Sequence, residues 1–561
     1  MELTMPSHRV VIISGKRCSG KSGLAKALAE RYGFRLISTD DILSGQLELS
    51  SGHVAPPRIA PRTPMPDRDR YGEWVNESVQ KIYDSLKEDE PGIVVDAVRS
   101  VEQVNQLRQR FHTRLTHVHL YASKEVLLQR YIASTTDNPG GLVYDQLDDL
   151  DDGEIKILKE DADVRIYTVR ADHEDTLVRV AAHLHLLTPP DVRCVDVLVG
   201  GQYGSEGKGN IVAYLANEYD VLVRVGGPNA GHTVANAVGK AIHHQLPSGA
   251  SFSNAKLLLG AGFTINVKGL LEEIAKFKIG PDRLFIDPQA TIIEEEDITL
   301  EKGGVVGAIA STGSGSGAAK ARRILNRGNA SKLVKLARDI PELKPYIGST
   351  EEHLEHAYRK GHSVLLEGTQ GSALSLYHGA YPHVTSRDTN VAGCLAEAGI
   401  SPSRVRKILM VVRTTPIRVA DPDGEAGNTS GKLKNETTFA IIAGAAGLDA
   451  AEVQGAEITS TTKRNRRVGW FEWSEFRRAC NLNAPTDIVL TFVDYLDEAN
   501  QKARRFDQLA VDTIKFIEEL ERVAQAPVSL INTRFPKKDS DFKDLRSIID
   551  RRNWTARSRL E

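Results

Sequence analysis

The apolar run RVVIIS (9–14) is continuous, rich in β-branched residues and closed by Gly15, a pattern that predicts a parallel strand buried on both faces. GLAKALAERYG (23–33) follows with helical spacing and a terminal glycine. Strand-like FRLIST (34–39), GIVVDA (92–97) and THVHLYA (116–122) come next, with helical stretches such as WVNESVQKIYDSLKED (74–89) between them. DVRIYTV (163–169) and the helical DTLVRVAAHLHLL (175–187) complete the series, so a doubly wound α/β domain is expected. TPPD (188–191) reads as a linker, after which CVDVLVGG (194–201) restarts the strand-then-glycine pattern. The expected fold class is α/β, with two domains that each carry a mainly parallel sheet flanked by helices. Their bounds are 1–188 and 194–561, joined by 189–193. HVAPPRIAPRTPMPDRDRYG (53–72) reads as an irregular insertion and the acidic DQLDDLDDGE (145–154) as a solvated loop.

Composition narrows the partners. A chain of 561 residues exceeds what one core supports, and 41% apolar with 26% charged residues is an ordinary folded composition. Lys plus Arg (72) nearly balance Asp plus Glu (74), so no global field favours nucleic acid or anionic membranes, and neither is an expected partner. Four scattered cysteines without metal spacing suit free thiols in a reducing compartment. The N-terminal apolar run is too short for a signal sequence and no 18 apolar residues follow one another, so a cytoplasmic protein is expected.

The first glycine loop, GKRCSGKS (15–22), fits G-x-x-x-x-G-K-[ST] between a strand and a helix. Gly15 and Gly20 let backbone N–H groups surround phosphates, Lys21 reaches the terminal phosphates, and the Ser22 hydroxyl can ligate Mg²⁺. Residues 8 to 188 resemble the nucleoside monophosphate kinases, in ISTDDIL (37–43) and VVDAVRSVEQV (94–104) as well as in the loop. The resemblance implies ATP as donor, Asp40 or Asp41 facing the acceptor, Asp96 supporting the metal, Arg99 holding the acceptor phosphate and Arg130 opening the lid. Such lids usually carry arginines, which stabilise the transferring phosphoryl group, whereas here the stretch is acidic.

The second half carries a series of motifs. QYGSEGKG (202–209), GGPNAGHT (226–233), PSG (247–249), EGTQGSALSLYHGAYPHVTS (367–386) and TTKRNRRVGW (461–470) occur in one order. Together they resemble adenylosuccinate synthetase, which phosphorylates the 6-oxygen of a purine nucleotide with GTP and replaces it with aspartate. The resemblance implies that Gly204, Gly207, Lys208 and Gly209 cradle phosphate and that His232 stabilises charge on the 6-oxygen. It implies the Gly231 carbonyl as a Mg²⁺ ligand. Asn229, Thr312 in STGSGSG (311–317), Gln370 and Thr385 would hold the purine nucleotide, Gln370 acting at the reacting base. Arg464 and Arg466 would grip aspartate carboxylates. Asp494 would read the donor base, but Phe492 stands where a basic residue is expected and LINTRFPKK (530–538) lacks the guanine loop, so GTP and ATP both stay open as donor. The family is a homodimer that lends an arginine across its interface, here Arg322 or Arg323.

Ser205 departs from the family's pattern, which has Asp there as base for the purine N1 proton and as a Mg²⁺ ligand. A serine hydroxyl is neither basic at neutral pH nor a strong ligand for a hard cation. A viral branch of the family that makes 2-aminoadenine nucleotides has Ser at this position and uses dGMP. Three readings stay open: a dGMP-using purine-nucleotide:aspartate ligase with a fused (deoxy)nucleoside monophosphate kinase, an IMP-using synthetase, and a non-catalytic nucleotide-binding regulator.

Overall fold

A computed structural model of the chain describes residues 8–39, 68–88, 90–98, 100–134, 152–236, 239–421, 429–459, 463–534 and 547–552. Asp40, Asp41 and Arg99 lie outside the described residues, as do most of the acidic run and the first part of the Pro-rich insertion. The chain divides into two compact units, Met1–Leu187 and Thr188–Glu561.

The smaller unit is a five-stranded parallel sheet. Its strands are β1 (Arg9–Ser14), β2 (Arg35–Ser38), β3 (Gly92–Asp96), β4 (Leu115–Tyr121) and β5 (Val164–Tyr167), in the order β2-β3-β1-β4-β5. Helices α1 (Lys21–Tyr32), α2 (Arg68–Asp84), α3 (Val101–Phe111), α4 (Lys124–Ser134), α5 (Asp152–Asp161) and α6 (His173–His183) connect or flank them. Val10 and Ile12 bury into one apolar layer and Val11 and Ile13 into the other, which is why the run is apolar without alternation. The insertion read as irregular is helical in its last five residues, 68–72, because they open α2.

Three buried histidines away from the cavity are held without charge. In the smaller unit the Ser14 hydroxyl joins His117 Nε2 at 2.6 Å and His119 Nδ1 at 2.8 Å. Burial lowers His117 to about 4 and His119 to about 3, and His243 of the larger unit to about 3. Unfolded, each titrates near its ordinary value, so between pH 6.5 and 4 the unfolded chain binds more protons and stability falls as pH falls. The slope is roughly 1.4 kcal/mol per histidine per pH unit. Urea midpoints are expected to drop between pH 7 and pH 5, and equal midpoints would contradict neutral burial.

The larger unit is built on a nine-stranded sheet. Its strands are β6 (Val195–Gly200), β7 (Val221–Arg224), β10 (Lys256–Leu259), β12 (Leu284–Ile286), β14 (Val364–Glu367), β15 (Val405–Arg413), β19 (Asp487–Thr491), β20 (Val528–Asn532) and β21 (Ile548–Asp550). They run in the order β12-β10-β7-β14-β6-β15-β19-β20-β21, parallel except for the last pair. Smaller pairings are the hairpin β8 (His232–Asn236) with β9 (Gly239–His243), β11 (Thr264–Ile265) with β13 (Thr291–Ile292), and a three-stranded antiparallel sheet. That last sheet has the order β16 (Ile417–Val419), β18 (Arg466–Gly469), β17 (Glu436–Thr437). Helices used below are α7 (Lys208–Leu215), α8 (Ser316–Asn326) and α9 (Ala450–Ala456). The segment read as a linker packs on this unit: Thr188 donates to Glu355 at 2.6 Å and Arg404 donates to the Pro189 carbonyl. No disulfide joins the cysteines. Among the described residues no helix is long and apolar enough to cross a membrane.

Candidate active site

In a parallel sheet, ligands gather at the carboxyl ends of the strands, where the connecting loops cluster. At the end of β1 the first glycine loop turns through Gly15 (φ 139°) and Gly20 (φ 102°) into α1, whose second residue is Ser22. Lys21 Nζ folds back on the Gly15 and Lys16 carbonyls at 2.9 Å each. Asp96 ends β3 beside β1, and Arg130 on α4 donates to the Cys18 carbonyl and to Thr168. Arg130 thus braces the loop.

The second loop leaves β6 at Gly200, where a Cβ would lie 2.6 Å from the Gln370 carbonyl and 2.7 Å from the Glu206 carboxylate, so only glycine fits. Gly204, Ser205 and Gly207 all have positive φ, and Gly207 caps α7, leaving N–H groups directed at the cavity. Glu206 is fully buried and organises the loop. One oxygen accepts from the Gln202 and Gly204 N–H groups at 3.1 and 2.8 Å, and the other pairs with Lys208 Nζ at 2.5 Å.

This loop opens on a cavity of about 690 Å³. Gly204, Ser205, Gly207, Lys208 and Gly209 line one side, with Asn229, Gly231 and His232 from the loop after β7. Thr312, Gln370, Thr385, Arg466, Phe492 and Asp494 also line it. Arg464 is not on the wall. Its N–H donates to the Thr459 hydroxyl at 2.8 Å and its carbonyl accepts from the Thr459 N–H at 2.9 Å.

His232 is fixed by a buried network that the sequence reading missed. Glu367 ends β14 opposite Arg224 on β7. Its carboxylate accepts from His232 Nδ1 at 2.5 Å, Arg224 at 3.0 Å, the Ser248 N–H at 2.8 Å and the Ser248 hydroxyl. Burial, then the Arg224 charge, lowers His232 to about 4 against the pull of Glu367. Burial alone would raise Glu367, yet Arg224, His232 and Ser248 outweigh it and hold the carboxyl near 2. A neutral ring with its Nδ1 proton on Glu367 leaves Nε2 as the bare nitrogen. Glu206, Glu367 and Ser248 lie inside the quoted motifs, where their charge or hydroxyl was the available signal. Arg224 lies outside them.

Other walls are similarly held. Thr369 donates to the Gln370 side chain at 2.8 Å and accepts from Arg387 at 3.1 Å, and Gln370 has φ 58°. Glu301 accepts from the Gly315, Gly317 and Ala318 N–H groups at 2.8, 2.8 and 3.2 Å, shaping the Thr312 loop at the start of α8. Ser205 accepts from Arg466 Nη2 at 3.3 Å through its hydroxyl. Phe492 adopts φ 57° under the Arg413 guanidinium, 4.0 Å from its ring centre. Arg322 is paired with Glu294 and Asp297, and Arg323 donates to the Gln289 carbonyl and Thr291, so both are held within their own chain.

The family model for adenylosuccinate synthetase matches residues 197–339 and 328–501, which contain this cavity. The chain belongs to the adenylosuccinate synthetase family. The corresponding enzyme of Methanocaldococcus jannaschii is 36% identical over 346 residues, 60% of this chain and 93% of the relative. That of Pyrococcus horikoshii is 36% identical over 365 residues, 64% and 98% of the two chains. Among solved structures, a cyanophage S-2L succinoaminodeoxyadenylate synthetase bound to dGMP and to dATP as an energy donor is 27% identical. It has a TM-score of 0.51 and covers 64% of this chain and 95% of its own. A fully ligated adenylosuccinate synthetase from Plasmodium falciparum shares the fold at 21% identity and TM-score 0.53, with 64% and 99% covered. Residues 11–148 match an AAA domain model. The chain is therefore a C–N ligase of the adenylosuccinate synthetase type whose N-terminal part matches an AAA domain, with nucleotides as substrates and use of a nucleoside triphosphate implied by both families.

Proposed function

We propose that the larger unit joins aspartate to C6 of dGMP, and that the smaller unit phosphorylates a (deoxy)nucleoside monophosphate with ATP. The observation that carries the first part is Ser205. Its hydroxyl, on the cavity wall, already accepts from Arg466, and the cyanophage relative that binds dGMP supports the choice of purine. A small neutral side chain there leaves room and an acceptor for the guanine 2-amino group. The same relative's dATP, with Phe492 beside Asp494 here, supports an adenine nucleotide as donor over GTP.

Phosphoryl transfer to the 6-oxygen releases nucleoside diphosphate and the purine N1 proton and makes the oxygen a leaving group; the aspartate amine then forms the C6–N bond, losing a proton, and inorganic phosphate departs. Lys208 and the loop N–H groups hold the phosphoryl group, once Lys208 turns from Glu206. His232 acts on the 6-oxygen after taking up a proton, and Glu367 steadies the charged ring. Gln370 and Asn229 orient the base, Thr312 and Thr385 its phosphate, and Arg466 meets an aspartate carboxylate. Magnesium fits the donor set. The Gly231 carbonyl is the wall oxygen that would hold it, Glu206 is engaged by Lys208, and a cation that keeps phosphate oxygens and water needs few protein ligands. Bound there it would neutralise charge on the phosphates; in the smaller unit Ser22 and Asp96 are the matching pair.

A homodimer is also proposed. Family membership supports it, as does the exposure of Ile324 and Leu325 next to Arg322 and Arg323, whose donation to a partner would require leaving their in-chain bonds.

The purine assignment has its own test. Ser205→Asp is expected to lower the ratio of kcat/KM for dGMP to that for IMP by roughly tenfold or more, ~1.4 kcal/mol or more of discrimination. An unchanged ratio would remove Ser205 as the determinant.

A further inference from the structure

Glu457 caps the C-terminus of α9 and is buried between two guanidinium groups. Arg413 Nη2 and Arg466 Nη1 each lie 2.6 Å from its carboxylate, on different oxygens, and the Tyr495 hydroxyl donates at 2.9 Å. Burial alone would raise this carboxyl, but Arg413 and Arg466 hold it near 2, so it stays ionised. It also lines the cavity.

The geometry of Arg466 makes this contact informative. A guanidinium offers a carboxylate two paired edges, Nη1 with Nη2 at its end and Nε with Nη2 along its side. Glu457 occupies Nη1, which closes the end edge. On the side edge, Nε is buried with no hydrogen-bond partner among the described residues, and Nη2 reaches the Ser205 hydroxyl at 3.3 Å. A buried N–H without a partner is costly, and a carboxylate entering between Arg466 and Ser205 would satisfy it. Glu457 cannot follow Arg466 into the cavity, because its other oxygen is held by Arg413, itself stacked on Phe492.

We propose that Glu457 is a positioning residue for the acidic substrate: by holding Nη1 it turns the Nε/Nη2 edge of Arg466 toward a carboxylate of aspartate. The inference rests on the ligase reading above. It differs from the plain assignment of Arg466 to carboxylate binding, since it names what sets the direction of the guanidinium and which edge is used.

Steady-state kinetics of the full chain with aspartate varied at saturating nucleotides test it. Glu457→Gln keeps the side-chain size but weakens the hold on Nη1. It is expected to raise the aspartate KM about tenfold or more, the loss of one charge-assisted hydrogen bond, with the KM values for both nucleotides within about twofold. Arg466→Lys, which has no planar edge, is expected to raise the same constant. The double variant should be no worse than the weaker of the two singles, because both remove one interaction. Effects that multiply, or a Glu457→Gln enzyme with reduced kcat and unchanged aspartate KM, would overturn the proposal. Should Glu457→Gln not fold, Glu457→Asp keeps the charge opposite Arg413 while shortening the reach, and the same aspartate-selective rise is expected. An unchanged aspartate KM would overturn it there too. A wild-type enzyme whose turnover ignores aspartate would sink the ligase reading, an outcome separate from a normal wild type with an unaffected Glu457 variant.

Discussion

Glu367→Ala is expected to cost about 3–5 kcal/mol of stability in the larger unit, the range for breaking a buried ion pair by removing one partner. Arg224 is wholly buried, and its other contacts are carbonyls, the Ser248 hydroxyl and His232 Nδ1, none of which carries a compensating charge. The Ser248 N–H would lose its acceptor as well. Glu367→Gln should retain more of the fold, since an amide oxygen still accepts, but it cannot steady a charged imidazole. Its kcat is therefore expected to fall while its melting temperature falls less than that of the alanine variant. Melting curves and kinetics on both variants check this. Equal stability of Glu367→Ala and wild type would mean that the network does not hold the site together.

The second large effect is expected at Lys208. Lys208→Ala should lower the ligase kcat/KM by ~10²–10³-fold, the size found when one preorganised donor to developing charge is removed. The ligand-free contact with Glu206 adds a consequence for stability: the alanine variant leaves a fully buried carboxylate with only two backbone donors. It should therefore be less stable than wild type without nucleotide, and gain less in melting temperature when nucleoside triphosphate is added, because it lacks the phosphate contact as well. Titration of the melting temperature with nucleotide separates this from simple loss of catalysis. A variant that is inactive but as stable as wild type would show that the Glu206–Lys208 pair is structurally idle.

Much of this was written in the chain. The continuous apolar run RVVIIS read as a strand buried on both faces, and it and VDVLVG each lead into a glycine loop that marks the strand end. Patterning near the Pro-rich insertion was less legible, because turn-forming residues precede a helix that starts at Arg68, before the apolar spacing becomes regular. The cavity wall was legible where function sits in contiguous motifs, as with Ser205, Lys208 and His232. The supporting charges were not. Arg224 and Glu367 are 143 residues apart and meet only because β7 and β14 are neighbours in the sheet. Glu457 and Arg413 meet across 44 residues, and a glutamate ending a short helix gives no local sign of its partners. Arg464 shows the converse: its motif is local, but it is not among the residues that line the cavity.

The most direct measurement is mass spectrometry of products after incubating the purified chain with Mg²⁺, aspartate and ATP or GTP, offering dGMP or IMP in separate reactions. The account predicts a succinyl-purine deoxynucleotide from dGMP, dependent on aspartate and stronger with ATP, and little product from IMP. Product from IMP alone, or none from either purine in the presence of aspartate, would contradict it.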